Sequence, residues 1–252
     1  MKVIILLAVV LCLAYSEQWA VLVAGSNTFS NYRHQADVFH AYQTLAKNGF
    51  DKDHIITFAF DDIVNSVSNP FKGKVFNKPT YQSPGVDVYD GIHIDYKGAD
   101  VTPENFLAVL EGNSAATKGK KVLEATPQDN IFIFFSDHGA PGLIAFPSKY
   151  LYADQLIQTF NKITGKFGKL VFYLEKLPTN TRIYGLSAAN PTESSWGTYC
   201  SPDDVVNGKH VGSCLGDLFS VNFLEDIDKG LIFDETLLDQ FKIVKKLTTL
   251  SQ

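Results

Sequence analysis

The chain has 252 residues, of which 45% are hydrophobic and 19% charged, and a net charge of -5. That length and apolar fraction support one sizeable core. Neutralising phosphates needs clustered Lys and Arg, and nothing in an acidic chain with ordinary charge content suggests such a surface, so nucleic acid is not an expected partner.

At the N-terminus Lys2 precedes an unbroken apolar run, Val3 to Leu13, and Ala14-Tyr15-Ser16 reads as a small-x-small cleavage site. Residues 1–16 are therefore expected to be a secretory signal peptide and residues 17–252 the folded domain. The run is too short to span a bilayer, so no membrane partner is expected after cleavage. Cys12 leaves with the leader. Cys200 and Cys214 remain as an even pair in an oxidising compartment, where a disulfide is the expected state and two buried thiols the alternative.

Trp19 to Ala24 is a short apolar run ending at Gly25 and reads as a buried strand. Arg33 to Asn48 reads as a helix, with Phe39, Tyr42 and Leu45 at helical spacing and Gly49 beyond its end. His54 to Phe60 is a second strand, closed by Asp61-Asp62. Asn65 to Gly98 is rich in Pro, Gly, Asn and Asp and is expected to be a long surface excursion. Thr102-Pro103 opens a helix, with Thr102 as N-cap and Pro103 at the first helical position. Ile131 to Phe135 is the most apolar strand and runs straight into Ser136-Asp137-His138-Gly139. Ala153 to Ile163 is a helix, Leu170 to Leu174 and Ile183 to Leu186 are strands, and Leu218 to Ile227 and Thr236 to Leu247 are helices. Strands alternating with helices predict an α/β fold, a single domain with a mostly parallel sheet covered on both faces. In such sheets the site lies beyond the carboxyl ends of the strands. Three polar clusters fall there: Asn31 to His34, Ser136 to Gly139, and Glu175.

His138 follows an apolar strand and precedes a glycine, which suits a general acid or base, or equally an exposed turn histidine. Arg33 could grip a carboxamide oxygen and Asn31 could orient His138, although Asn31 also suits a helix cap. Glu175 ends a strand, where its carboxylate needs a partner. Asp217 opens a helix, where capping is the bland explanation. Ser194-Ser195 read as well as a turn. His34, His40 and His138 lack metal-ligand spacing, and no metal or organic cofactor is expected.

Taken together, these residues carry a resemblance. Val23 to Asp37 (VAGSNTFSNYRHQAD), Val101 to Leu110 (VTPENFLAVL), Pro127 to Gly139 (PQDNIFIFFSDHG), Ala188 to Cys200 (AANPTESSWGTYC) and Cys214 to Asp226 (CLGDLFSVNFLED) closely resemble the legumain (asparaginyl endopeptidase) family, in its plant-type form. The similarity runs from Trp19 to about Leu247. It implies a caspase-like fold and a cysteine endopeptidase that cuts after Asn in protein or peptide substrates, in the secretory pathway: vacuole, lysosome or exterior. By position, His138 matches the catalytic histidine, Asn31 its supporting asparagine and Gly139 an oxyanion-hole contributor. Arg33, His34, Glu175, Ser195 and Asp217 match the pocket for the Asn side chain, and Cys200 and Cys214 the disulfide pair.

One departure is decisive. In the family, the strand ending in this Glu continues into an Ala-Cys-Glu-Ser-Gly-Ser segment that carries the nucleophile. Here Glu175 runs straight into Lys176-Leu177-Pro178. Without thiolate, at best a small residual catalysis is expected, so the chain as written is read as inactive. The short connection is also expected to strain the sheet, since a parallel crossover usually takes about a dozen residues or more. Retention of the pocket and tidiness of the junction favour a coding sequence that has lost a small piece. The alternative is a pseudoenzyme that binds Asn-containing peptides. A third possibility is the catalytic subunit of the GPI-anchor transamidase, which shares Asn-Tyr-Arg-His. The Ser-Asp-His-Gly and Ser-Ser-Trp motifs and the lack of a C-terminal membrane segment fit it less well. Legumain precursors continue into an activation segment and a helical prodomain, so a bare catalytic domain without prodomain is expected.

Overall fold

The structure is a computed structural model. It describes residues 16–81, 84–174, 184–190, 192–230 and 236–249. The signal-peptide reading and Glu175 lie outside these residues.

In chain order the elements are β1 (Gln18–Ala24), α1 (Tyr32–Lys47), β2 (Ile55–Ala59), β3 (Tyr96–Lys97), α2 (Pro103–Glu111), β4 (Asn130–Ser136), β5 (Gly139–Ala140), β6 (Leu143–Ala145), β7 (Tyr150–Tyr152), α3 (Ala153–Ile163), β8 (Lys169–Leu174) and β9 (Tyr184–Ser187). They continue with β10 (Gly197–Thr198), β11 (Val205–Val206), β12 (Lys209–His210), β13 (Gly216–Asp217), α4 (Leu218–Asp228) and α5 (Leu237–Leu247). The central sheet has the order β3-β2-β1-β4-β8-β9, and its pairings are parallel.

Alternation along the strands builds two cores, because successive side chains of a strand point to opposite faces. Ala20, Leu22 and Ala24 of β1, with Phe134 of β4, pack under Phe39 and Tyr42 of α1, Phe219 and Phe223 of α4 and Val244 of α5. Trp19, Val21 and Val23, with Ile131, Ile133 and Phe135, pack under Phe106 and Val109 of α2 and Leu156 and Phe160 of α3. The mostly parallel sheet with helices on both faces is therefore what the alternation predicts. Each fully buried Phe or Leu in these layers contributes roughly 1.5–3 kcal/mol by its removal from water. The helix ends also follow the local sequence. Thr102 accepts from the Asn105 amide at 3.2 Å, Pro103 stands in the first turn, and Gly112 ends α2 in the left-handed conformation.

Two expectations need correction or refinement. Residues 65–98 are more than a surface excursion. Val75, Phe76 and Val88 belong to the core, and the buried Asn69 amide donates to the carbonyls of Ile63, Val64 and Lys74. Asn69 stands in for the missing ladder, so this irregular stretch can be buried with its carbonyls satisfied. The stretch also supplies β3. At the other side, β9 pairs in parallel with β8 over Val171↔Tyr184 to Leu174↔Ser187. The short connection thus leaves the sheet its sixth strand. No helix among the described residues is long and apolar enough to cross a membrane.

Candidate functional site

The chain leaves β1 towards β2 on one side, while β4 lies on the other. The strand order therefore reverses at this pair, and the crevice beyond their carboxyl ends is where such sheets place a site. A cavity of about 210 Å³ opens there, lined by Arg33, His34, Asp137, His138, Gly139, Ala189, Glu193, Ser194, Ser195 and Asp217.

Two cap residues put their side chains into this site instead of onto their own helices. Asn31 occupies the N-cap position of α1 but makes no side-chain cap bond. Its amide donates to the Asn27 carbonyl at 3.0 Å, which turns its Oδ1 towards His138 Nε2, also at 3.0 Å. Asp217, at the N-cap of α4, likewise makes no cap bond. Its carboxylate accepts from Arg33 Nε at 2.8 Å and lies 3.2 Å from His34 Nε2. The bland readings of both residues as caps are thus displaced by longer-range partners.

The floor of the cavity is a buried polar network. His34 is 1% exposed, and its Nδ1 lies 2.6 Å from Ser26 Oγ and 3.1 Å from Asp137 Oδ1. Burial pushes the His34 pKa down to about 3, with Arg33 and His138 adding to the fall and Asp217 opposing it. Burial pushes the Asp137 carboxyl up to about 7, against the His138 amide and the charges of His138 and Arg33. A second layer holds Asp217: its amide donates to Asp37 Oδ2 at 3.1 Å, and Ser136 Oγ reaches Asp37 at 3.2 Å. Asn77 ties Asp37 Oδ1 to the Leu215 carbonyl. Two glycines make the network possible. A Cβ on Gly25 would stand 2.6 Å from Asp137 Oδ2, and one on Gly216 would stand 2.9 Å from Asp37 Oδ1. Behind Arg33, Gly197 lies flat against the guanidinium stem, and the Cys200–Cys214 disulfide backs that wall.

Of the residues singled out from sequence, Arg33, His34, His138, Gly139, Ser195 and Asp217 line one cavity, and Asn31 supports His138. Glu175 lies outside the described residues. Sequence reasoning passed over Ser26, Asp37, Asp137 and Glu193. The available signal was a carboxylate at an inward position of α1, four residues after Arg33, and one set between Ser136 and His138 at the end of the most apolar strand. His34, Asp137 and His138 also each offer one metal-ligand atom, all within 4.8 Å of one another.

Comparison with known proteins gives the setting. The sequence profile of the Peptidase C13 family matches residues 18–252. The vacuolar-processing enzyme beta-isozyme 1 of Oryza sativa subsp. japonica is 43% identical over 92% of this chain and 49% of its own length. A hemoglobinase of Schistosoma japonicum is 45% identical over 95% of the chain and 58% of its own. A legumain of Mus musculus is 44% identical over 93% and 55%. The chain spans about half the length of the curated relatives it matches. Among solved structures, caspase-1 from Spodoptera frugiperda superposes with a TM-score of 0.52 over 91% of this chain and 75% of its own, at 11% identity. That likeness supports the caspase-like fold.

Proposed function

The chain belongs to the Peptidase C13 family of cysteine peptidases, the family of the legumains, and from that premise we propose that its cavity receives an asparagine side chain but that the chain as written does not cleave the peptide. The observation that carries this reading is the Arg33–Asp217 pair walling a small polar cavity beside His138.

A carboxamide is a donor at one end and an acceptor at the other. The Arg33 guanidinium has N–H groups beyond the Nε spent on Asp217, and these suit the amide oxygen. Asp217, and Glu175 by family position, suit the amide nitrogen. Ser195 and His34 complete the wall. An aspartate in the same place would set its carboxylate against Asp217, so the pocket favours the amide. His138, held by Asn31 through Nε2, lines the cavity, and Gly139 offers backbone to a developing oxyanion. A nucleophile is what the set lacks. Cys200 and Cys214, the cysteines of the described residues, are bonded to each other. Asn-containing peptides in a vacuole, lysosome or outside the cell are the partners this reading supplies, the compartment resting on the relatives' names and the expected leader. The arrangement also fits a parent version that retains the missing segment and is a working asparaginyl endopeptidase.

The test is binding and turnover measured together. A fluorescent peptide with a central Asn is expected to bind the pure chain and remain uncut, and its Asp counterpart to bind at least about tenfold more weakly, as for a lost polar match. Arg33→Ala is expected to abolish the binding. Unchanged affinity in that variant, or turnover by the unsubstituted 252-residue chain, would sink the proposal.

A further inference from the structure

We infer that the cavity holds a second kind of ligand: a zinc-class divalent ion bound by His34 Nδ1, Asp137 Oδ1 and His138 Nδ1, with a fourth position open to the cavity. The sequence gives no such hint, because His34 and the Asp137-His138 pair lie far apart along the chain. The fold closes them to within 4.8 Å.

Three observations carry it. First, two imidazoles and one carboxylate are the donor set that borderline divalent metals prefer, and three protein ligands with one open position is a recurrent zinc arrangement. Second, both rings are oriented from behind. His34 Nε2 faces the Asp217 carboxylate at 3.2 Å, and His138 Nε2 faces Asn31 Oδ1 at 3.0 Å. An acceptor behind each Nε2 suits a hydrogen there, the outer arrangement found around metal-bound histidines, and with it each Nδ1 would be the ligand atom; in the metal-free chain His34 Nδ1 faces Ser26 Oγ and Asp137 Oδ1. Third, Asp137 is 3% exposed, lines the cavity, and its Oδ1 is buried without a hydrogen bond among the described residues. It lies 3.1 Å from His34 Nδ1. Tetrahedral ligands about 2.0–2.2 Å from zinc stand a little over 3 Å apart, so that edge is already formed. His138 is exposed at the cavity mouth and closes the remainder by a modest turn of its ring. The Ser26 hydroxyl, 2.6 Å from His34 Nδ1, would turn to the Asp137 carboxylate, with which it also bonds. Asp37, Asp137 and Asp217 outnumber the single Arg33 guanidinium, which favours a cation here.

This site shares residues with the asparagine pocket but does not rest on that reading, since it needs no peptide. The probe is Co2+, titrated without peptide into the full chain free of any histidine tag, then displaced by Zn2+. The result expected is one equivalent bound with the intense visible absorption of a four-coordinate centre. Paramagnetic broadening is expected on the ring resonances of His34 and His138 and not on those of His93 and His210. His138→Ala, an exposed position, is expected to weaken binding beyond the roughly 10–100-fold that loss of an outer partner costs, and Asn31→Ala by about that amount. His93→Ala is expected to leave it unchanged. Absence of a stoichiometric site in the parent chain, broadening confined to surface histidines, or undiminished affinity in folded His138→Ala would overturn the inference. If metal binds as described and the Asn peptide does not bind metal-free protein, the asparagine reading fails and this one stands.

Discussion

At the scale of residues, the buried pair His34 and Asp137 sets the pH behaviour of the site. In the native chain His34 is neutral down to about pH 3, while its unfolded form takes a proton below about 6.5. Stability from this group is therefore complete above 6.5 and falls as pH drops towards 3. Asp137 runs the other way. Its native form keeps a proton up to about pH 7 that the unfolded form loses above 3.8, so its contribution falls as pH rises across that window. Between pH 4 and 6.5 the two slopes oppose and largely cancel, and the pair titrates jointly. In the folded chain Arg33, His138 and Asp217 face this pair. Breaking the balance should expose each slope. Asp137→Asn is expected to lose stability on acidification from pH 6.5 to 4, and His34→Gln to gain it, each by at most about 1.4 kcal/mol per pH unit for one whole proton. Denaturant midpoints across that range check this, and equal pH slopes in both variants and the parent would refute it. The pair also marks what the sequence could tell. His34 was legible through its place beside Arg33. Asp137 was legible only as a member of the Ser136 to Gly139 cluster, with no role of its own, because its role comes from the approach of Gly25 and from burial, neither of which has a local signature.

At the scale of elements, the long ones were readable because they carry strong periodicity and caps. α2 begins at Pro103 behind Thr102, and β4 runs from Asn130 to Ser136 with the site at its end. The short ones were not. β5 to β7, and β10 with β13, are two or three residues long, too short for an alternation to register. One of them matters for the site, since the β10–β13 pair seats Gly197 opposite Asp217 and so fixes the wall behind Arg33. The most informative element pair is β8 and β9. Their register is in place although only residues 175–183 connect them, fewer than a parallel crossover usually takes. The sheet therefore offers the frame onto which a longer connection could be restored. Inserting an Ala-Cys-Glu-Ser-Gly-Ser segment between Glu175 and Lys176 is expected to create cleavage after Asn, sensitive to iodoacetamide and abolished by a second change, His138→Ala. A folded insertion chain that binds the Asn peptide and never cuts it would show that the remaining residues are not a catalytic set awaiting a thiol.

At the scale of the whole molecule, the question is whether a chain with so short a β8–β9 connection is one cooperative unit or a misfolded product. The layers argue for one unit. β1 and β4 are shared by both cores, so neither helical layer can detach without stripping the other's sheet. The two tryptophans allow a direct test. Trp19 is 6% exposed in β1, stacked on His54, whereas Trp196 is 51% exposed beside the cavity. In Trp196→Phe the emission belongs to Trp19 alone and reports the core. Its urea transition is expected to coincide with that of far-UV circular dichroism, in a single step with a slope towards the upper end of the roughly 1–3 kcal/mol/M of small proteins. The Cys200–Cys214 bond closes a loop with a sequence separation of 14, and in the chain-entropy account such a loop stabilises by about 3 kcal/mol. Reductant is thus expected to lower the midpoint without splitting the transition, because the bond braces the wall of the cavity and not the junction of the two cores. Separate transitions for fluorescence and dichroism, or a shallow drift in place of a step, would mean that the central sheet is not the common frame described above. The cavity geometry at its carboxyl edge would then have no rigid support in solution.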